Sequence, residues 1–178
     1  MKGIVFTEFS DMVESEFSPE ILDEIIIESN LQSQGSYTSV GTYDYTEMLQ
    51  LVTKLSEKTS IPTDELLYAF GGYLAKRFSV LFPDFFSEAG KVFDFMKSLD
   101  NHIHVEVNKL YPDAELPKFE FDDSDPTCLI MEYRSTRGLA MLAYGLICGV
   151  IDYYNEPIYV EIEEIDGHKH TKFLLKQK

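Results

Sequence analysis

Apolar residues recur at helical spacing through the first half of the chain. In KGIVFTEFSDMVESEF, residues 2–17, Val5, Phe9, Met12, Val13 and Phe17 lie on one face of a 3.6-residue period and predict an amphipathic helix. Ser18 followed by Pro19 reads as an N-cap with proline at the first helical position, opening a second helix through Ile27. NLQSQGSYTSVGTYDY is polar and contains glycine, so it reads as a loop. Met48, Leu51, Val52 and Leu55 place a third helix over 45–58, and another starts near Thr63 with Gly71 and Gly72 inside it. Each helical glycine costs about 1 kcal/mol relative to alanine, so the pair marks a kink or a close packing contact. From Pro83 the pattern is helical again, and 91–110 is its longest clean stretch.

The remainder has a different period. Residues 127–135 read as a strand, and 138–154 as a helix. PIYVEIEEI alternates as a strand does, and Asp166-Gly167 supplies a two-residue hairpin turn into HKHTKFLLK. Helices first, then sheet with one inserted helix, is an α+β plan. It predicts one domain over 1–178, with an N-terminal helical part over 1–62. The rest, 63–178, packs helices on a small antiparallel sheet. No internal repeat or low-complexity linker interrupts it.

Charge narrows the partners. Fifteen Lys and Arg against 31 Asp and Glu give a net charge of −16, and no basic cluster is present to displace counterions from a phosphate backbone or to dock on an anionic membrane. A basic partner surface suits it better. The expectation is no nucleic acid and no membrane. Cys128 and Cys148 both sit in apolar runs, which predicts free buried thiols rather than a disulfide framework. With no signal peptide or spanning segment in view, the expected location is cytoplasmic.

Nucleophile elbows, phosphate loops, zinc-protease helices and paired-cysteine motifs do not occur, so the sequence makes no case for an enzyme. His102 and His104 lie two apart in a helical pattern, about 200° around the wheel, so they cannot both ligate one ion. Phe93, Met96, Val107 and Tyr111 surround His104 on that wheel, whereas Ser98, Glu106 and Lys109 surround His102, so His104 is the buried one. A lone buried histidine is more often a hydrogen-bonded core residue than a ligand. His168 and His170 share a strand face, as zinc ligands do in places, but exposed strand residues is the simpler reading.

The strongest constellation is in IMEYRSTRGLAML, residues 130–142. Tyr133, Ser135 and Arg137 at i, i+2 and i+4 form one polar row on a strand, leading into the apolar segment GLAMLAYGLICGVI. Arginine presents a planar fork for a carboxylate, and two hydroxyls beside it suit a second. Haem combines two carboxylates with a large flat apolar body, and Gly138, Gly145 and Gly149 let a backbone approach a ring closely.

Together these residues resemble the haem nitric-oxide/oxygen-binding family, bacterial gas sensors related to the haem domain of soluble guanylate cyclase. The resemblance spans essentially the whole chain. Tyr133-x-Ser135-x-Arg137 matches the family's propionate-binding signature, HVEVNKLYPDAELP its proximal segment, Pro117 a proline that packs on the porphyrin and bends it, and GLICG at 145–149 its distal helix. It implies haem b (iron protoporphyrin IX), enclosed by the helices and sheet. His104 is then the proximal iron ligand, a neutral imidazole with a comparatively weak iron bond. Tyr133, Ser135 and Arg137 hold the propionates, and Val5, Phe78, Leu142 and Leu146 line the pocket with Pro117.

Oxygen-binding members carry a distal tyrosine where this chain has Leu142, which has no donor to offer. Tyr144 points elsewhere on the wheel, and a donor on another helix, Tyr73 for example, stays open. The resemblance therefore implies a nitric-oxide sensor, with carbon monoxide as a second gas. Gas binding releases His104 and shifts the surrounding helices, with Gly71-Gly72 as a place for movement. The signal passes to a separate histidine kinase or cyclic-di-GMP enzyme. An oxygen-binding sensor and a haem-free module for another carboxylate ligand are the alternatives. A haem peroxidase would want a distal histidine and arginine, and the distal helix has neither.

Overall fold

The computed structural model describes residues 1–178 apart from Tyr111, Ala114 and the side chain of Leu110. The first four helices, α1 (Gly3–Glu16), α2 (Pro19–Glu28), α3 (Tyr45–Thr59) and α4 (Thr63–Leu81), follow the apolar period closely. Ser18 caps α2, its Oγ accepting from the Ile21 amide at 3.3 Å, and Asp44 caps α3 through the Thr46 amide at 2.9 Å. Their inward faces bury Phe6, Phe9, Ile25, Met48, Leu55 and Phe70 in one cluster. Burying a side chain of this size stabilises the fold by about 1.5–3 kcal/mol, so this helical group carries a core of its own.

The expected single helix over 91–110 is in fact three pieces. After α5 (Pro83–Ala89), α6 covers Val92–Ser98, a π-helical turn covers Leu99–Ile103, and α7 runs from His104 to Leu110. The His104 amide bonds to the Leu99 carbonyl, five residues back. The widened turn lies where Asp100 directs its carboxylate to groups on two different elements, and π turns of this kind often mark functional sites.

Four antiparallel strands complete the fold: β1 (Lys118–Asp125), β2 (Cys128–Arg134), β3 (Ile158–Asp166) and β4 (His170–Gln177), in the order β1-β2-β4-β3. β1 goes beyond the sequence expectation. Only Phe119 and Phe121 are half-buried in it and its end is acidic, so the period of two is faint. The β3–β4 connection is also longer than two residues. Residues 167–169 separate the strands, Gly167 takes a left-handed φ of 51°, and the register shifts between Glu164 and Asp166. His168 therefore sits in the turn and does not share a strand face with His170.

Helix α8 (Ala140–Tyr154) lies between the two halves. Leu142 joins the N-terminal cluster, while Ala143, Ile147 and Val150 pack with Met131, Phe173 and Leu175 of the sheet in a second cluster. α4 runs unbroken through its glycine pair and packs along α8. A Cβ at Gly145 would stand 2.0 Å from the Tyr68 carbonyl oxygen, and one at Gly71 2.3 Å from that of Leu142. The glycines thus serve close packing and not a kink.

Candidate functional site

His104 opens α7 with its side chain only 16% exposed, while His102, on the other side of the turn, is 48% exposed and reaches Glu88 at 3.3 Å. The imidazole of His104 faces β1, its ring centroid 6.1 Å from that of Phe119. Burial pushes its pKa below the usual imidazole range, against the opposing pull of Asp100. Nδ1 is committed: it donates to Asp100 Oδ1 at 2.8 Å, and Asp100 Oδ2 accepts from the Phe119 amide at 2.9 Å. A neutral imidazole bonded in this way presents the lone pair of Nε2, the form a metal ion takes. The carboxylate at i−4 was a legible helical-pair signal that the sequence reading passed over.

Tyr133, Ser135 and Arg137 do not form a strand row as expected. β2 ends at Arg134, with Tyr133 as its last inward residue, buried between Phe119 and Phe173. A turn supplies the other two. Ser135 is fixed by its amide to the Lys169 carbonyl at 2.9 Å, and its Oγ accepts from the Arg137 amide at 3.3 Å. Gly138, at φ +66°, then reverses the chain into α8. Burial raises the Tyr133 pKa, while Ser135, the Leu139 backbone and the Arg137 charge act against that rise.

Arg137 is 13% exposed, lies over the Tyr45 ring at 5.7 Å, and donates to Glu115 Oε2 at 3.0 Å. Glu115 is 84% exposed and free to swing into water. The N-terminal ammonium, which sequence reasoning missed, lies close by and donates to the Tyr43 carbonyl at 2.7 Å. Burial lowers its pKa, and the positive charge of Arg137 lowers it further. In a chain of net charge −16, this corner gathers two cations beside two hydroxyls. It suits carboxylates.

The apolar residues lie along α1, α4 and α8. Leu142 is buried, and Val5, Phe78 and Leu146 are half-buried around it, with Phe78 and Leu146 touching both clusters. Pro117 is half-buried just before β1. Tyr144 stacks on Phe173 at 6.2 Å and against Tyr68 at 4.9 Å, turned toward the sheet. Tyr73 sits near the Glu8–Arg77 ion pair.

Other candidates fall away. His170 bonds Glu132 at 2.5 Å and His168 faces Asp64 at 3.4 Å, and among the described residues no group of three or more His, Cys, Asp or Glu is placed to hold a metal ion. Cys128 and Cys148 are free, as expected, but half-buried rather than buried. Tyr111, assigned to the His104 side of the wheel, lies outside the described residues. Among the described residues no helix is long and apolar enough to cross a membrane.

An imidazole anchored at Nδ1, a cationic corner suited to carboxylates, and apolar side chains on α1, α4 and α8 are a donor set that fits haem. The comparisons agree. A family model described as haem-NO-binding matches residues 2–162. The ferrous unliganded H-NOX protein of K. algicida is 37% identical, with a TM-score of 0.95 over 100% of this chain and 97% of its own. The H-NOX of Shewanella woodyi, solved in its Fe(II)CO state with IWP-051 bound, is 39% identical, with a TM-score of 0.86 over 100% of this chain and 95% of its own. The H-NOX of S. oneidensis in its Fe(II)NO state, at 23% identity, shares the fold with a TM-score of 0.92, covering 100% and 99%. With helices packed on a small four-stranded antiparallel sheet and a family match over most of its length, the chain belongs to the haem-NO-binding (H-NOX) family of haem-based gas sensors.

Proposed function

We propose that this chain is a non-enzymatic nitric-oxide sensor that carries haem b and signals to a separate protein in the cytoplasm. When bound, ferrous haem would supply an iron centre that a histidine holds and a diatomic gas binds. His104 Nε2 is the proximal donor, held in orientation from Nδ1. Arg137, Tyr133 and Ser135 take the propionates, with Glu115 displaced from Arg137. Pro117, Val5, Phe78, Leu142 and Leu146 supply the apolar contacts.

Leu142 carries the choice of gas. It occupies the buried position on α8 where a hydroxyl would be needed to stabilise a polar oxygen ligand, and it has none. Tyr144 faces the sheet instead, and Tyr73 neighbours Glu8 and Arg77. Carbon monoxide, the ligand of the S. woodyi relative, is a second gas such a wall admits. His104 would be the residue through which gas binding reaches α7, which it opens, and the acidic surface suits a basic docking face on the partner, a histidine kinase or a cyclic-di-GMP enzyme.

The test is the visible spectrum of the reduced, anaerobic protein before and after nitric oxide, with an air-exposed control. The expected result is a ferrous haem band that nitric oxide converts and air leaves without a stable oxygen complex. A stable oxygen complex would overturn the gas assignment. Absence of any haem band after reconstitution would overturn the proposal as a whole.

A further inference from the structure

Asp100 is a bridging carboxylate. Its two oxygens serve two elements at once, one the His104 ring on α7 and the other the first inward residue of β1. The residue lies within the π turn, where i→i+5 bonding brings positions four apart closer to eclipse than an α-helix does. A single extra residue in the turn thereby sets the carboxylate against Nδ1 while leaving Nε2 presented. Phe119, whose amide completes the bridge, also packs its ring between His104 at 6.1 Å and Tyr133 at 5.7 Å. The carboxylate-bearing turn, the histidine and the start of the sheet are therefore one bonded unit.

We propose that Asp100 is a positioning residue that makes His104 a firmer ligand than an unassisted imidazole and ties the histidine's movement to β1. This rests on the haem assignment above. A carboxylate accepting the Nδ1 proton raises the basicity of Nε2, so the histidine donates more strongly and resists release. The same carboxylate holds the Phe119 amide, so displacement of His104 pulls on or frees the first residues of β1. β1 in turn pairs with β2, where Phe119 faces Tyr133 across the ladder. The signal from the histidine is thus expected to reach the sheet and the Tyr133 corner, as well as α7.

The experiment compares wild type, Asp100→Asn, Asp100→Ala and the control His102→Ala in the full-length protein loaded with haem. The first readout is the iron–histidine stretching band of the ferrous state by resonance Raman. It should move to lower frequency in both Asp100 variants and stay in place in His102→Ala. The second is haem retention against an excess of a haem-scavenging protein. Loss of an outer partner of a metal-bound histidine costs roughly 10- to 100-fold in affinity, and Asp100→Ala should fall in that range. The third uses the haem-free protein: amide exchange at Phe119 should accelerate in Asp100→Ala, whatever the cofactor does. Asp100→Asn is nearly isosteric and keeps one acceptor, so it guards against a variant that merely unfolds. An unmoved stretching band in a folded, haem-loaded Asp100→Asn protein would overturn the positioning role while leaving His104 ligation intact. A wild type with no such band at all would instead overturn the haem assignment beneath it.

Discussion

The apolar and polar sides of this site are specified in different ways. Leu142 belongs to an apolar cluster whose helices also bury two carboxylates, and both are paired. Glu8 is held by Arg77 at 2.6 and 3.2 Å, and Glu47 by the Ser33 amide at 3.1 Å and the Tyr37 hydroxyl at 2.8 Å. Around His104 and Arg137 the opposite holds, with polar groups anchored at one atom so that another is presented. Nδ1 of His104 is bonded and Nε2 is offered, while Arg137 lies over the Tyr45 ring and is paired with a highly exposed glutamate. One side selects by what it withholds, the other by what it aims.

The severest way to break the polar side is His104→Ala. Complete loss of the iron–histidine band is expected, with imidazole added to the solution restoring a five-coordinate ferrous spectrum. A variant that keeps the native band would place the ligand elsewhere. On the apolar side the corresponding break is Arg77→Ala, which leaves Glu8 buried without its cation. Arg77 is more than a third exposed, so solvent screens the pair and a modest loss of stability is expected in a urea titration. No measurable loss would mean that the ion pair adds nothing to stability.

Much of this division was legible in the sequence, and where it was not the reasons are physical. The N-terminal helices announce themselves because each buries one regular stripe, and the stripe is the signal. Gly71 and Gly145 are visible as glycines, but only the crossing of α4 on α8 shows which backbone atoms they admit. The π turn is invisible to a wheel drawn at 100° per residue, so 91–110 reads as one helix although the His102/His104 distinction survives. Arg137 reads as part of a strand row because period two is local information. The turn that brings it back depends on Lys169, far along the chain. Glu115 looks like one more surface acid among 31 acidic residues, and only tertiary placement distinguishes it, whereas Asp100 is marked by its i−4 spacing from His104 but its bridge to the Phe119 amide is not.

The contact between the two sides can be tested at the helix crossing. Gly145→Ala places a methyl group 2.0 Å from the Tyr68 carbonyl, so α4 and α8 must separate or tilt. Overpacking of this kind costs about 1–3 kcal/mol, and because the obstacle is backbone, the upper half of that range is expected in thermal unfolding. The Soret band should shift as well if the crossing sets the distance between the Leu142 wall and the His104 side. A stability loss without any spectral change would mean that the two sides are independent of the crossing.

Leu142→Tyr sharpens the comparison most directly, by placing a donor on the side that withholds one. The backbone here is well fixed, since the Leu142 carbonyl lies against Gly71, so a tyrosine would project along the path the leucine takes now. The larger ring must displace neighbours in a packed cluster, for roughly 1–2 kcal/mol, toward the low end for overpacking because Val5, Phe78 and Leu146 nearby are only half-buried. A buried hydroxyl also needs a partner, and a polar oxygen ligand would provide one. The expected outcome is an oxygen-dependent spectral change that wild type lacks, with nitric-oxide binding retained. If the variant folds, holds haem and still ignores oxygen, then more than the missing hydroxyl excludes it, and the half-buried residues around Leu142 are the next to change.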